Sequence, residues 1–169
     1  LNLPVQEEDG KRIIRVSKKN YPKNTTYNVP SDISTAAFFM AAASIAEGSE
    51  IKIKNVLLNE TRNGIISVLK EMNADIEILN SKEENGEKSG DVLVRSGKLR
   101  NIRIKDEIIP NIIDEIPVLS LAGIFADGDF VIRNAGELRV KECDRINALV
   151  VNYKRLGLDV EEFEDGFRI

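Results

Sequence analysis

The sequence has no histidine and a single cysteine, Cys143. One cysteine excludes an intramolecular disulfide, and without histidine the commonest zinc-ligand sets are also unavailable. A reducing, cytoplasmic setting is the plain reading, and no metal or other cofactor is expected. The lack of histidine also assigns any acid or base chemistry near neutral pH to carboxylates or lysines with shifted pKa values. No apolar run approaches the roughly 20 residues that span a bilayer, so no membrane association is expected. The opening Leu1-Asn2-Leu3-Pro4 lacks the basic and apolar regions of a signal peptide. It also lacks an initiator methionine, which reads as a processed product or a fragment. With 24 Lys+Arg against 28 Asp+Glu the formal charge is -4, which gives no overall basic surface and makes nucleic acid an unexpected partner.

What is present is enough apolar material to fold: 42% of 169 residues are hydrophobic. Residues 1 to 28 are polar and interrupted by Pro4, Gly10 and Pro22, with one strand-like stretch from Arg12 to Val16. From Ile33 to Ala46 the chain is apolar on nearly every side, which predicts a buried helix capped by Ser31 or Asp32 and stopped at Gly48. Glu50 to Val56 alternates as a strand, Arg62 to Met72 as an amphipathic helix, and Asp75 to Leu79 as a second strand. Asn80 to Gly90 reads as a solvated loop or a long hairpin tip. Val92 to Arg95 and Ile102 to Lys105 are short strand candidates, and Pro110 breaks the chain before an apolar helix at 115 to 126.

Aligning Asp32 with Asp114 superposes two phrases. Each runs apolar helix, glycine-marked turn (Gly48, Gly128), strand, arginine-containing loop (Arg62, Arg145), amphipathic helix and strand. A period of about 80 residues exceeds the ~20 to 50 of solenoid repeats, so each copy should be a small βαβαββ-like unit. Helices apolar around most of their circumference make sense inside, with the sheets outside and one sheet face in water.

Ionisable residues are densest in Glu137-Leu138-Arg139-Val140-Lys141-Glu142-Cys143-Asp144-Arg145, between a strand at Phe130 to Arg133 and a helix from about Glu142 to Leu156. A helix N-terminus favours anions, and Lys141 and Arg145, four residues apart, would add cationic donors for a phosphate or carboxylate. Glu142, between them, is a natural acid or base in a chain without histidine. The same stretch also fits a solvated cap with surface ion pairs worth about 0 to 1 kcal/mol each. Asp114 reads first as the N-cap of the second apolar helix and, compatibly, as a carboxylate accepting a proton or hydrogen bond from a substrate hydroxyl. Asp32 reads as a cap alone. Arg62 reads as a structural or salt-bridging arginine, and Cys143 as a buried or half-buried small residue.

The run Arg139-Val140-Lys141-Glu142-Cys143-Asp144-Arg145 with Leu156-Gly157 resembles the signature of the EPSP synthase family, where threonine usually stands in place of Cys143. Val29-Pro30-Ser31-Asp32-Ile33-Ser34-Thr35-Ala36-Ala37-Phe38-Phe39, Asn59-Glu60-Thr61-Arg62-Asn63-Gly64 and Ile113-Asp114-Glu115-Ile116-Pro117 are similar to family phrases in the same order. The resemblance implies an α/β (α+β) inside-out barrel of repeated βαβαββ units and an active site between two domains. Residues 1–28 would then be the trailing segment of one domain. Residues 29–169 would be two of the three units of the other, divided as 29–100 and 101–169.

The resemblance further implies enolpyruvyl transfer from phosphoenolpyruvate to the 5-hydroxyl of shikimate 3-phosphate, by addition and then elimination of phosphate. Asp114 would bond the 5-hydroxyl and accept its proton, with Lys141 on the same substrate. Glu142 would handle the methylene proton, Arg145 would hold the phosphoenolpyruvate carboxylate, and Glu137 would take a substrate-side position that is asparagine in some relatives. No counterpart is found of the family's N-terminal lysine, serine-serine-glutamine, or C-terminal arginine and lysine segments, so the 169 residues alone are expected to lack activity. The full-length enzyme is expected to be a monomer. Two other readings are a related transferase acting on UDP-N-acetylglucosamine, which the Lys141-Glu142 and Asp144-Arg145 phrase argues against, and a noncatalytic α/β binding module.

Overall fold

The computed structural model describes residues 5–16 and 26–169. Strands β1 (Val5–Glu8) and β2 (Lys11–Ile14) form an antiparallel hairpin whose turn holds Asp9 and Gly10 at positive φ. Of the first 28 residues only the second strand is legible as a strand, and it ends at Ile14 rather than Val16.

The rest is one topology written twice. Helix α1 (Ile33–Ile45), β3 (Glu50–Leu57), α2 (Gly64–Glu71), β4 (Asp75–Glu84) and β5 (Glu87–Arg95) make the first copy. After a four-residue helix α3 (Ile109–Ile112), the second copy follows as α4 (Ile116–Ile124), β6 (Val131–Ile132), α5 (Arg145–Arg155), β7 (Glu161–Phe163) and β8 (Gly166–Arg168). Both three-stranded sheets place the last strand in the middle, in the orders β3-β5-β4 and β6-β8-β7. The leading strand of each expected βαβαββ unit is reduced to one parallel bridge, Ser31 with Val56 and Arg100 with Asp127. Ile102 to Lys105, read as a strand, is irregular.

Even the outer charge is repeated. Arg95, ending β5, lies 2.7 Å from Glu50, 3.6 Å from Asp75 and 3.8 Å from Glu77. Arg168, ending β8, lies 3.2 Å from Asp129, 3.7 Å from Asp159 and 3.3 Å from Glu161. In each sheet the middle strand thus ends in an arginine that gathers the carboxylates of its neighbours, a cross-strand pairing that favours this strand order.

Helix α1 packs on α4 and on β3 and β5, and α5 packs on β7 and β8. The alternation of β3, with Glu50, Lys52 and Lys54 outward, leaves one sheet face in water, so the helices lie inside and the sheets outside. Met40, Leu69, Met72, Ile112, Ile116 and Leu119 anchor the core between them. The apolar helices are not covered all round, however: Phe38, Phe39 and Phe125 are each more than half exposed. Those side chains have no neighbouring layer among the described residues.

Of the two readings of Asn80 to Gly90, the long hairpin tip is the one observed. Its residues extend β4 and β5, and the turn is the pair Asn85 (φ 55°) and Gly86 (φ 80°). Positive φ at both central positions is the requirement of a type I′ hairpin turn, and Asn-Gly is its sequence signal.

The second sheet is tightest where β8 begins. A Cβ on Gly166 would stand 1.9 Å from the Ile132 carbonyl oxygen and 2.7 Å from its carbon. Backbone atoms of a paired strand cannot rotate away as a side chain can. Gly166→Ala is therefore expected to destabilise the protein by about 3 kcal/mol or more, read as a lowered denaturation midpoint with an unchanged denaturant slope. An unchanged midpoint contradicts the packing of β8 on β6.

Candidate active site

Asp114 sits in the turn between α3 and α4, fixed on either side by the fully buried Ile112 and Ile116. Pro110 and Pro117 occupy early positions of the two helices, where the missing N–H costs no hydrogen bond. Pro110 thus starts a short helix rather than breaking the chain. Asp114 is not the N-cap: that position belongs to Glu115, whose side chain does not bond its own helix. The extra helix α3 moves the cap one residue along and leaves the Asp114 carboxylate free to point elsewhere. In the first copy Asp32 does cap, accepting from the Thr35 N–H at 2.7 Å.

Three cations from two stretches of the chain surround the Asp114 carboxylate. Lys141 Nζ and Arg145 Nη1 each stand 3.6 Å from Oδ1, and Arg62 Nη2 stands 3.8 Å from Oδ2. Arg62, the positional counterpart of Arg145 read as a structural or salt-bridging arginine, does form a salt bridge, and its partner is Asp114. Its presence here follows from Asn111, which accepts from the Gly64 N–H at 3.1 Å and donates to the Glu60 carbonyl at 2.7 Å. That side chain clamps the loop carrying Arg62 to the helix preceding Asp114.

Helix α5 starts at Arg145, later than expected, because Asp144 is the cap, accepting from the Asn147 N–H at 2.9 Å. Lys141 therefore lies before the helix, after a 3-10 turn at Gly136–Val140, and does not share a helical face with Arg145. The two converge on Asp114 nonetheless. Arg139 fixes the approach: its guanidinium bonds Asp144 at 2.8 Å, Glu162 at 3.1 Å and the carbonyls of Phe163 and Glu164. It ties the site segment to the β7–β8 turn. The hydrogen bond from Asn147, followed by that from Arg139, holds the Asp144 carboxyl below its ordinary pKa.

Lys141 and Arg145 each carry a further acidic partner close in sequence. Glu137 lies 2.6 Å from Lys141 Nζ and raises the lysine pKa. Glu142 lies 2.7 Å from Arg145, whose hydrogen bond depresses the Glu142 carboxyl below its usual range, so Glu142 is charged at neutral pH. The side chains of Lys141 and Arg145 are each 24% exposed while that of Glu142 is 71% exposed. The cations are held in the wall and the carboxylates lie on its open side. Cys143, expected to be buried or half-buried, is exposed, in the stretch between the 3-10 turn and the Asp144 cap.

All five predicted residues, Asp114, Glu137, Lys141, Glu142 and Arg145, thus fall in one ion-pair network, with Arg62 as the member that sequence reading missed. A cavity of about 640 Å³ lies elsewhere, between the irregular Ile102–Ile104 stretch and β6, and contains none of them. Chemically, the network can bind anions and move a proton at a carboxylate. Among the described residues no helix is long and apolar enough to cross a membrane.

The model of the family described as EPSP synthase (3-phosphoshikimate 1-carboxyvinyltransferase) matches residues 1–169. The chain belongs to the EPSP synthase family. It is 48% identical over 165 residues to the 3-phosphoshikimate 1-carboxyvinyltransferase of Petrotoga mobilis, covering 98% of this chain and 38% of that protein. It is 50% identical over 144 residues to that of a Synechococcus strain, covering 85% of this chain and 32% of the relative. The solved EPSP synthase of Acinetobacter baumannii superposes with a TM-score of 0.91 at 38% identity, over 99% of this chain and 38% of that one. The chain therefore spans well under half the length of the EPSP synthases it matches, and its fold is theirs over that span.

Proposed function

We propose that these residues form one wall of the active site of a 3-phosphoshikimate 1-carboxyvinyltransferase, a cytoplasmic enzyme moving the enolpyruvyl group of phosphoenolpyruvate to the 5-hydroxyl of shikimate 3-phosphate. The observation carrying the proposal is Asp114 held by Arg62, Lys141 and Arg145 in a chain of this family. Residues 1–28 are read as the end of the other domain and 29–100 and 101–169 as two of three units, with the exposed Phe38, Phe39 and Phe125 covered by the third.

In this reading the substrate 5-hydroxyl gives its proton to Asp114 as its oxygen attacks C2 of phosphoenolpyruvate, and Glu142 supplies the proton that C3 takes up. The tetrahedral adduct then loses phosphate as Glu142 takes a proton back from the methyl group, which restores the double bond; the proton removed by Asp114 leaves with the phosphate, which returns Asp114 to its carboxylate form. Lys141 and Arg145 stay charged throughout and stabilise substrate and developing negative charge in place, which is electrostatic preorganisation. Glu137 orients Lys141.

The Glu142 partner explains how a carboxylate ionised in the free protein becomes an acid. A substrate carboxylate that binds Arg145 removes the hydrogen bond depressing the Glu142 pKa and brings negative charge beside it. Both effects raise that pKa, so Glu142 takes up a proton as the substrate binds.

The test is product analysis. A protein carrying this sequence within the full family length is expected to convert shikimate 3-phosphate and phosphoenolpyruvate to the enolpyruvyl product and phosphate, with no product from UDP-N-acetylglucosamine. The 169 residues alone are expected to give none from either. Turnover of the UDP-sugar only, or of neither by the full-length protein, overturns the proposal.

A further inference from the structure

We propose that Glu115 and Ser34 are positioning residues that set Asp114 through Arg62, an inference that rests on the reading of Asp114 above. Glu115 is only 2% exposed and occupies the N-cap position of α4, yet its carboxylate leaves the helix N–H groups unbonded. It crosses instead to the first turn of α1 in the other copy, where Glu115 Oε1 accepts from the Ser34 hydroxyl. A hydroxyl has one proton to give, so with that proton on Glu115 its lone pairs face any further partner as acceptors. Arg62 Nη2 donates to them at 3.3 Å, and the same nitrogen stands 3.8 Å from Asp114 Oδ2.

The result is a directed chain from a buried carboxylate to the reacting one: Glu115, Ser34, Arg62, Asp114. Its order is fixed at the buried end, where donor and acceptor strengthen each other in low dielectric. Arg62 is nearly half exposed and would otherwise be free to leave. Held by Ser34, it keeps the Oδ2 side of Asp114 occupied while Lys141 and Arg145 stay on Oδ1. The carboxylate plane is thereby set for the substrate hydroxyl. Because α1 and α4 belong to different copies, the chain also makes the geometry of the second copy's carboxylate depend on the first.

The experiment is a double-mutant cycle in the full-length protein, with kcat and the KM of both substrates as readouts. Ser34→Ala is expected to lower kcat about tenfold with KM changed less than about twofold, a misplacement effect rather than a binding loss. Ser34→Thr, which keeps the hydroxyl, restores most of the rate. In an Arg62→Ala background Ser34→Ala costs less than about twofold, because the path through which it acts is already gone. Glu115→Ala leaves a buried vacancy and risks unfolding, so Glu115→Gln, which keeps an acceptor for Ser34, replaces it. Its smaller loss must likewise vanish in the Arg62→Ala background. Equal losses in both backgrounds, or a Ser34→Ala kcat within about twofold of the parent, overturn the inference. A parent without turnover, or Asp114→Asn turning over at the parent rate, overturns the underlying reading as well, so the two failures are distinct.

Discussion

Asp114→Asn is expected to lower kcat by roughly 100- to 10,000-fold, the range a positioned general base contributes. Asparagine keeps the size of the side chain and can still accept a hydrogen bond, but it cannot take the proton of the substrate hydroxyl. The variant also strips the negative charge from a site where Arg62, Lys141 and Arg145 converge. Those cations, left without their central partner, should hold anionic substrates at least as well as before. The expected signature is therefore a collapse in kcat with KM for both substrates unchanged or lowered, measured by phosphate release from the full-length protein. A kcat within tenfold of the parent removes Asp114 from the chemistry and leaves it a structural ion-pair centre.

Glu142→Gln is expected to cost a comparable factor, about 100-fold or more, and it carries a second signature that depends on pH. In the free protein the hydrogen bond from Arg145 keeps Glu142 charged below its ordinary pKa. If phosphoenolpyruvate draws Arg145 away, the Glu142 pKa rises on binding, and binding takes up a proton. By linkage, affinity then increases as pH falls through the window between the bound and free values and levels off below both. Calorimetry in buffers of differing ionisation enthalpy should detect more proton uptake by the parent than by Glu142→Gln. Equal uptake in the two proteins, or a variant kcat within tenfold of the parent, rejects the role.

Which parts of this were readable from the sequence follows from the range of the interactions involved. Asp32 capping α1 and the alternation of β3 depend on residues a few positions apart, and the chain spells them out. The duplication was visible because both copies keep the same order of local patterns. The hairpin tip around Asn85-Gly86 was equally local, and only the length of its two strands was underestimated, because the charge around the turn also suits a loop. Residues whose placement is set across the two copies were not legible. Arg62 reaches Asp114 only because Asn111 fastens one copy's loop to the other's helix, and Glu115 serves Ser34 only because α1 meets α4. The position of Asp114 itself was misjudged by one residue of capping, since no sequence pattern announced the short helix α3.

The two copies differ most in one connection. Between the first strand of each sheet and the helix that follows, the first copy uses residues 58–63 and the second uses 133–144, because β6 has two residues where β3 has eight. Three of the site's six ionisable groups, Glu137, Lys141 and Glu142, lie on that longer segment, and Arg145 opens the helix just after it. Doubling a connection in this way costs only about 0.6 kcal/mol in closure entropy, and the stretch from turn glycine to helix start keeps nearly the same length, Gly48 to Gly64 against Gly128 to Arg145. A gene that had doubled such a unit could thus acquire chemistry by releasing part of one strand into a surface crossing in one daughter copy, while the other daughter, its strand still long, kept contributing scaffold and one arginine. Catalytic novelty in this architecture would be cheap to evolve at that crossing and expensive anywhere else.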